Sequence, residues 1–131
     1  MRHFIAYHNV DKIGAYVSEN GFWFSCRRSL AYFDKAAGAK VWVITGETEE
    51  GKGEKVYRLV AFFTISNVEP EDNGNTRIIG GDGRHLNPPG ELLNPLPWFR
   101  AFQKLQGNFM FGFNPVTNIE HIERLLELSN Q

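Results

Sequence analysis

Apolar positions change their spacing along this chain, and each spacing predicts an element. HFIAY at 3–7 carries strand-forming types and predicts a first strand, which His8, Asn9 and Asp11 then break. Residues 12–20, with Asn20-Gly21 at their end, read as a loop or turn, and Phe22, Trp23 and Phe24 as a short buried second strand. Leu30, Phe33 and Ala37 recur at spacings of 3 and 4, which predicts a short helix that Ser29 caps and Gly38 ends. Val41 to Ile44 is a continuous β-branched-rich run, the signature of a strand buried on both faces. GETEEGKGEK after it reads as an exposed hairpin loop. Val56 to Val68 is a strand of thirteen residues, long enough to require a bend or bulge. Asn73-Gly74 marks a second turn, and Arg77 to Gly80 predicts a further strand, so the middle of the chain is a β meander.

Residues 80–91, GGDGRHLNPPGE, hold four Gly and two Pro and should interrupt regular structure. Asn94-Pro95 resembles a cap followed by proline in a first helical turn, with Leu96, Phe99, Phe102 and Leu105 as its apolar stripe and Gly107 as its stop. Phe109, Phe111 and Phe113 alternate, which predicts a strand. Thr117 and Glu120 match a capping box for a last helix whose stripe is Ile119, Ile122, Leu126 and Ser129. The expected fold is an α+β domain over residues 1–131: a small, curved, mostly antiparallel β-sheet or partial barrel with two or three flanking helices.

Composition narrows the function classes. A chain of 131 residues with 42% hydrophobic and 22% charged residues is one globular domain able to bury its own core. Fourteen Lys and Arg against fifteen Asp and Glu disfavour a protein held to nucleic acid by net charge alone, but leave room for a local basic patch. The single cysteine, Cys26, excludes a disulfide within the chain and a Cys-rich zinc site, and fits a reducing cytoplasm. MRHFIAYHN lacks the apolar run of a signal peptide, and no stretch approaches a membrane span, so a cytoplasmic location is expected.

No catalytic constellation emerges. Gly80-Gly81-Asp82-Gly83 does not match the phosphate-loop spacing, and no Lys-Ser/Thr follows it. His3, His8, His85 and His121 show no metal-ligand spacing, and His121 reads as a solvated helix residue. Cys26 reads as a small buried hydrophobe. No cofactor or metal is expected. The sharper signals are polar and aromatic. Tyr7-His8-Asn9, at the end of the first strand, offers an aromatic face, a titratable ring and an amide, groups that can read the edge of a base; the simpler reading is a turn after the strand. Trp42 reads as core. Trp23 and Trp98, beside regular elements, could line a pocket that stacks a planar base, although packing alone also explains them. Arg27-Arg28, with Lys35 and Lys40 nearby, could form a basic face while acidic residues gather in the 47–54 and 69–72 turns and the last helix.

FIAYHN at the start, the Arg/Ser-rich step into a short helix ending at Gly38, KVWVITGE, KVYRLVAFFTISNVE and the late PWFRAFQKLQGNFMFGF follow one another in an order that resembles the PUA-like superfamily, and within it the EVE-type domains. The chain also resembles the amino-terminal reader segments attached to some nucleases that cut modified DNA. It departs from the EVE-type pattern where Gly38-Ala39-Lys40 replaces a Gly-Asp step and Thr45-Gly46 a Tyr-Ser pair. The resemblance implies a partial barrel whose cavity accepts a flipped or single-stranded modified base in DNA or RNA. It implies edge contacts from Tyr7, His8 and Asn9, stacking by Trp23 and Trp98, phosphate contacts by Arg27 and Arg28, and a nuclease as candidate partner. Two other classes stay open: a small hydrolytic or nuclease-accessory enzyme built from scattered His, Asp and Glu, and a protein-interaction module using the aromatic face.

Overall fold

The β-branched run at 41–44 becomes the middle of a sheet, because a strand that is apolar on both faces is stable only when both are covered. A computed structural model describes residues 1–14, 21–49 and 53–130. Their elements are β1 (His3–Asn9), α1 (Val10–Ile13), β2 (Phe22–Cys26), β3 (Lys40–Thr48), β4 (Lys55–Pro70), β5 (Thr76–His85), β6 (Glu91–Leu92), α2 (Phe99–Leu105), β7 (Phe113–Val116) and α3 (Ile119–Ser129), with 3-10 turns at Leu30–Phe33 and Gly107–Phe109. The strands form one curled, mixed sheet in the order β2-β5-β4-β3-β1-β7, with β6 added to β4. Among the described residues only β1 and β3 run parallel; the other pairs are antiparallel. This is the small α+β fold with a curved sheet expected above, a half-barrel with three helices. The hairpin tip at 50–52 and most of the predicted 12–20 loop lie outside the described residues.

Alternation divides the side chains between two cores. On the inner face Phe4, Ala6, Val41, Val43, Ala61, Phe63, Ile65 and Phe113 pack together, and Phe22 and Phe24 of β2 close over them. On the outer face Ile5, Trp42, Ile44, Tyr57 and Leu59 meet Phe99 and Phe102 of α2 and Leu125 of α3. The curl brings opposite edges together, since the Phe24 ring on β2 lies 6.2 Å from the Phe113 ring on β7. The expected irregularity in β4 is a bulge: Val43 pairs with Ala61 and Ile44 with Leu59, so Val60 is skipped. One extra residue reverses the parity, and the odd positions pass from the outer core at Tyr57 and Leu59 to the inner core at Ala61 and Phe63.

Several local expectations give way to tertiary contacts. β1 continues through His8 and Asn9 because β3 supplies partners as far as Gly46. β5 runs through the Gly-rich segment to His85 rather than stopping before it. The glycines there permit close approach: a Cβ on Gly80 would lie 2.3 Å from the Phe63 ring, and one on Gly83 2.1 Å from the Phe62 carbonyl oxygen. The helix predicted from Leu30 to Ala37 is only the 3-10 turn, which ends where Lys35 turns left-handed at φ 58°. Asn94 does not cap α2, which starts at Phe99; its side chain instead accepts from Tyr57 N (2.7 Å) and donates to Lys55 O (2.9 Å), anchoring the β4 edge. The strand predicted across Phe109 to Phe113 begins only at Phe113, because Asn108 and Phe109 have φ of 55° and 63°, which no strand contains. On α3 the cap is Asn118, whose side chain accepts from His121 N at 3.1 Å. The buried positions of α3 are His121, Leu125 and Ser129, and the predicted Ile119 is 73% exposed. His121 is therefore not solvated. It packs against Phe102 edge-on at 5.4 Å and against Trp98 at 6.0 Å, and burial pushes its imidazole below the usual pKa.

Candidate functional site

Among the described residues, the inside of the half-barrel leaves no hollow for a base. Rings fill it: Phe113 lies 5.1 Å from Phe4 and 5.2 Å from Phe33, and Phe63 lies 5.5 Å from Phe22. Open space lies outside it, at several places that include the seam where β2 passes the end of β1 and the loop before β7. A groove of about 530 Å³ runs there, within the range typical of small-ligand sites.

Each side of the groove is fixed by an identifiable contact. Arg28 holds the seam: its Nε donates to Phe113 O at 3.0 Å, its Nη2 donates to Asn114 Oδ1, and its guanidinium lies 4.5 Å over the Tyr32 ring. Thr76 Oγ1 donates to Arg28 O at 2.8 Å, tying the same residue to β5. On the far side, Tyr7 N donates to Gly112 O at 2.7 Å, and the Tyr7 ring stacks on Phe109 at 5.1 Å and 13°. Gly46 makes room for that ring, since a Cβ there would lie 1.9 Å from the Tyr7 hydroxyl oxygen. Burial, then the neighbouring Tyr57 and Asp11, push the Tyr7 hydroxyl up to about 12, so it stays a neutral donor throughout the physiological range.

Among the described residues the charged lining of the groove is cationic: Lys12, Arg27 and Lys55 line it, and no Asp or Glu does. Aromatic surface comes from Tyr7, Phe24, Phe109 and Phe111. Asn9 adds a polar group that is out of balance: its Oδ1 is buried and, among the described residues, has no hydrogen-bond partner. A buried acceptor left without a donor costs about 1–3 kcal/mol. Cys26 also borders the groove, but burial raises its thiol above the usual pKa, the reverse of what activates a nucleophile. Among the described residues, no three His, Cys, Asp or Glu side chains converge as a metal site. No helix there is long and apolar enough to cross a membrane.

Of the residues singled out from the sequence, the fold brings Tyr7, Asn9 and Arg27 together in the groove, with Arg28 at its border. Arg28 is occupied by the seam rather than free for phosphate. His8 turns away, with Nε2 2.7 Å from Gly14 O. Trp23 points outward from β2, 51% exposed beneath the Arg77 guanidinium, because the inward positions of that strand belong to Phe22 and Phe24. Trp98 lies between α2 and α3, 5.5 Å from Phe102. Neither tryptophan lines the groove; Phe24 and Phe111 supply the faces there. Lys12, Lys55 and the 108–112 loop escaped sequence reading, since they come from segments far apart in the chain. Only Gly107-Asn108, residue types that tolerate left-handed backbone, could have flagged a turn there. Comparison with protein-family models, with curated proteins and with solved structures finds no match to this chain.

Proposed function

We propose that the chain is a non-enzymatic nucleic-acid-binding domain that holds a modified base of DNA or RNA in the seam groove. The observation that carries this reading is the joint presence, in one groove and among the described residues, of three cationic side chains without a carboxylate, several aromatic faces, and the buried, unpartnered Asn9 Oδ1. The cations suit a phosphate backbone, rings stack on any base, and an amide reads a base edge. The Asn9 amide, turned into the groove, meets the edge of a cytosine- or adenine-type base, Tyr7 donates from its neutral hydroxyl, and Arg27 meets the flanking phosphate. The half-barrel agrees with a PUA-like, EVE-type domain, and a nuclease is the partner such a reader would direct.

A binding screen tests this. Single- and double-stranded oligonucleotides carrying plain, methylated, hydroxymethylated or glucosylated bases are titrated against the purified protein by fluorescence anisotropy. The reading expects one modification to bind best, with affinity that falls as salt rises and drops about tenfold or more in Asn9→Leu. Equal, weak binding to every oligonucleotide would end it. Turnover of a plain nucleic acid would favour the enzyme alternative.

A further inference from the structure

A second cleft, of about 320 Å³, lies just beyond the rings that fill the half-barrel, at the lower end of the range for small-ligand sites. Thr45 and Glu47 continue the alternation of Val41 and Val43 along β3, and Arg58 faces Thr45 from β4. These three residues also line an adjoining hollow with Glu49, so the polar side of the cleft carries charges of both signs. The other side is apolar, with Val10, Val60, Leu86, Pro88 and Pro89. Its walls are fixed before any ligand arrives. Leu86 N donates to Val60 O at 2.9 Å, and Gly90 N to Asn87 O at 2.8 Å. Gly90 lets that loop lie on β4, since a Cβ there would be 2.6 Å from Leu59 O. Asp11 accepts from Thr48 N at 3.0 Å and from Thr48 Oγ1 at 2.6 Å, which pins α1, and with it Val10, against β3.

Two opposite charges face this cleft without meeting. Glu47 pairs with Val56 in the β3–β4 ladder, so Arg58, two residues on, is its diagonal neighbour on the same face, where opposite charges ordinarily attract. Among the described residues, neither side chain makes an ion pair or a hydrogen bond. Arg58 is half-buried and Glu47 exposed. A guanidinium so placed keeps donors that water or a ligand must meet. We infer that this cleft binds a small zwitterion of the α-amino-acid type with an aliphatic side chain. Arg58 takes the carboxylate through its planar fork, Glu47 takes the ammonium, and Val60, Leu86 and the prolines receive the side chain. Glu47 and Glu49 repel a phosphate, which sets this cleft apart from the cationic seam groove. The inference goes beyond the nucleic-acid reading and does not rest on it.

A chemical-shift titration of the isotope-labelled protein, read at the backbone amides of Val60, Leu86 and Gly90, tests this. The probes are L-leucine, leucinamide, N-acetyl-L-leucine and inorganic phosphate. L-Leucine is expected to shift these signals saturably, and each blocked form, which lacks one charge, to bind about tenfold more weakly. Arg58→Gln should weaken L-leucine about tenfold and leave leucinamide, which offers no carboxylate, within about twofold. Glu47→Gln should weaken L-leucine about tenfold and leave N-acetyl-L-leucine, which offers no ammonium, within about twofold. Arg58→Lys keeps the charge without the fork, should fall between the wild type and Arg58→Gln, and carries the test if Arg58→Gln does not fold. The same spectra report whether each variant is folded. The absence of a saturable shift with L-leucine overturns the inference, as does equal affinity for all three leucine compounds, which would mark a plain apolar cleft. Tighter binding of phosphate than of L-leucine assigns Arg58 to an anion and also overturns it. None of these outcomes depends on oligonucleotide binding, so the reading of the seam groove stands or falls separately.

Discussion

Phe63 and Asn9 belong to regions built by opposite rules. Around Phe63 the inner face is apolar and ring meets ring, with Phe22 5.5 Å away and a β5 glycine cleared to admit the close approach. Around Asn9, among the described residues, an acceptor is buried without a donor, three cations share a groove without an acid, and the loop opposite stands in a strained backbone. The first region lowers the free energy of folding, and the second raises it. The difference teaches that the filled interior carries stability, which leaves the seam free to hold groups that folding alone would not retain. It also explains why a barrel-like sheet here has its candidate site at the edge rather than inside.

The comparison can be broken most forcefully at the inner face. Phe63→Ala should cost about 3–5 kcal/mol in urea unfolding, the usual loss for a buried ring in a close-packed core. A loss below about 1 kcal/mol would mean that the interior is not the stabilising half. Next in size is Arg28→Ala, which removes two charge-assisted hydrogen bonds across the seam and should cost about 1.5–3 kcal/mol. Binding should weaken along with stability, because the seam sets the groove's width; full binding by this variant would show that the groove does not depend on closure.

Asn9→Leu sharpens the contrast, since the two halves predict opposite signs. Removing the unpartnered acceptor should leave stability unchanged or raise it by up to about 1 kcal/mol, while oligonucleotide binding falls. A variant that loses both would place Asn9 among ordinary structural residues. Smaller again is the salt response. If Arg27 meets one phosphate, Arg27→Ala should reduce the slope of log affinity against log salt by about 0.7–0.9, and an unaltered slope would remove Arg27 from the contact.

The smallest effect is one of pH. Burial holds His3, His85 and His121 below the ordinary imidazole value of 6.5. In that window the unfolded chain binds more protons than the fold, so stability is present above about pH 6.5 and declines as pH falls below it toward the lowered native values. The urea midpoint should therefore drop between about pH 7.5 and 5, and His121→Phe should lessen the drop. A midpoint that ignores pH would show that these rings are not held neutral by the fold.

Patterns that act within a few residues could be read directly from the chain. The run at 41–44, the need for an irregularity in the long fourth strand and the burial of Trp42 all follow from local chemistry: β-branched residues pack on both faces of a central strand, and sheets bend where a strand overruns the usual length. The polar step at Tyr7 and Asn9 and the basic step at Arg27 were also visible as candidates, because sites gather at strand ends and the loops after them and because Arg27-Arg28 is a local basic cluster. Tertiary structure decided what no window of sequence contains. The Val60 bulge chose which face each residue of β4 serves, close contact with β4 kept the glycines of β5 in a strand, and curl brought residues 9, 27, 55 and 108–112 to one seam. It also set neighbours apart, leaving Arg27 in the groove and binding Arg28 into the wall. The physical reason is that side-chain direction in a curled sheet depends on register and curvature, which are long-range quantities, whereas propensity and turn chemistry are local.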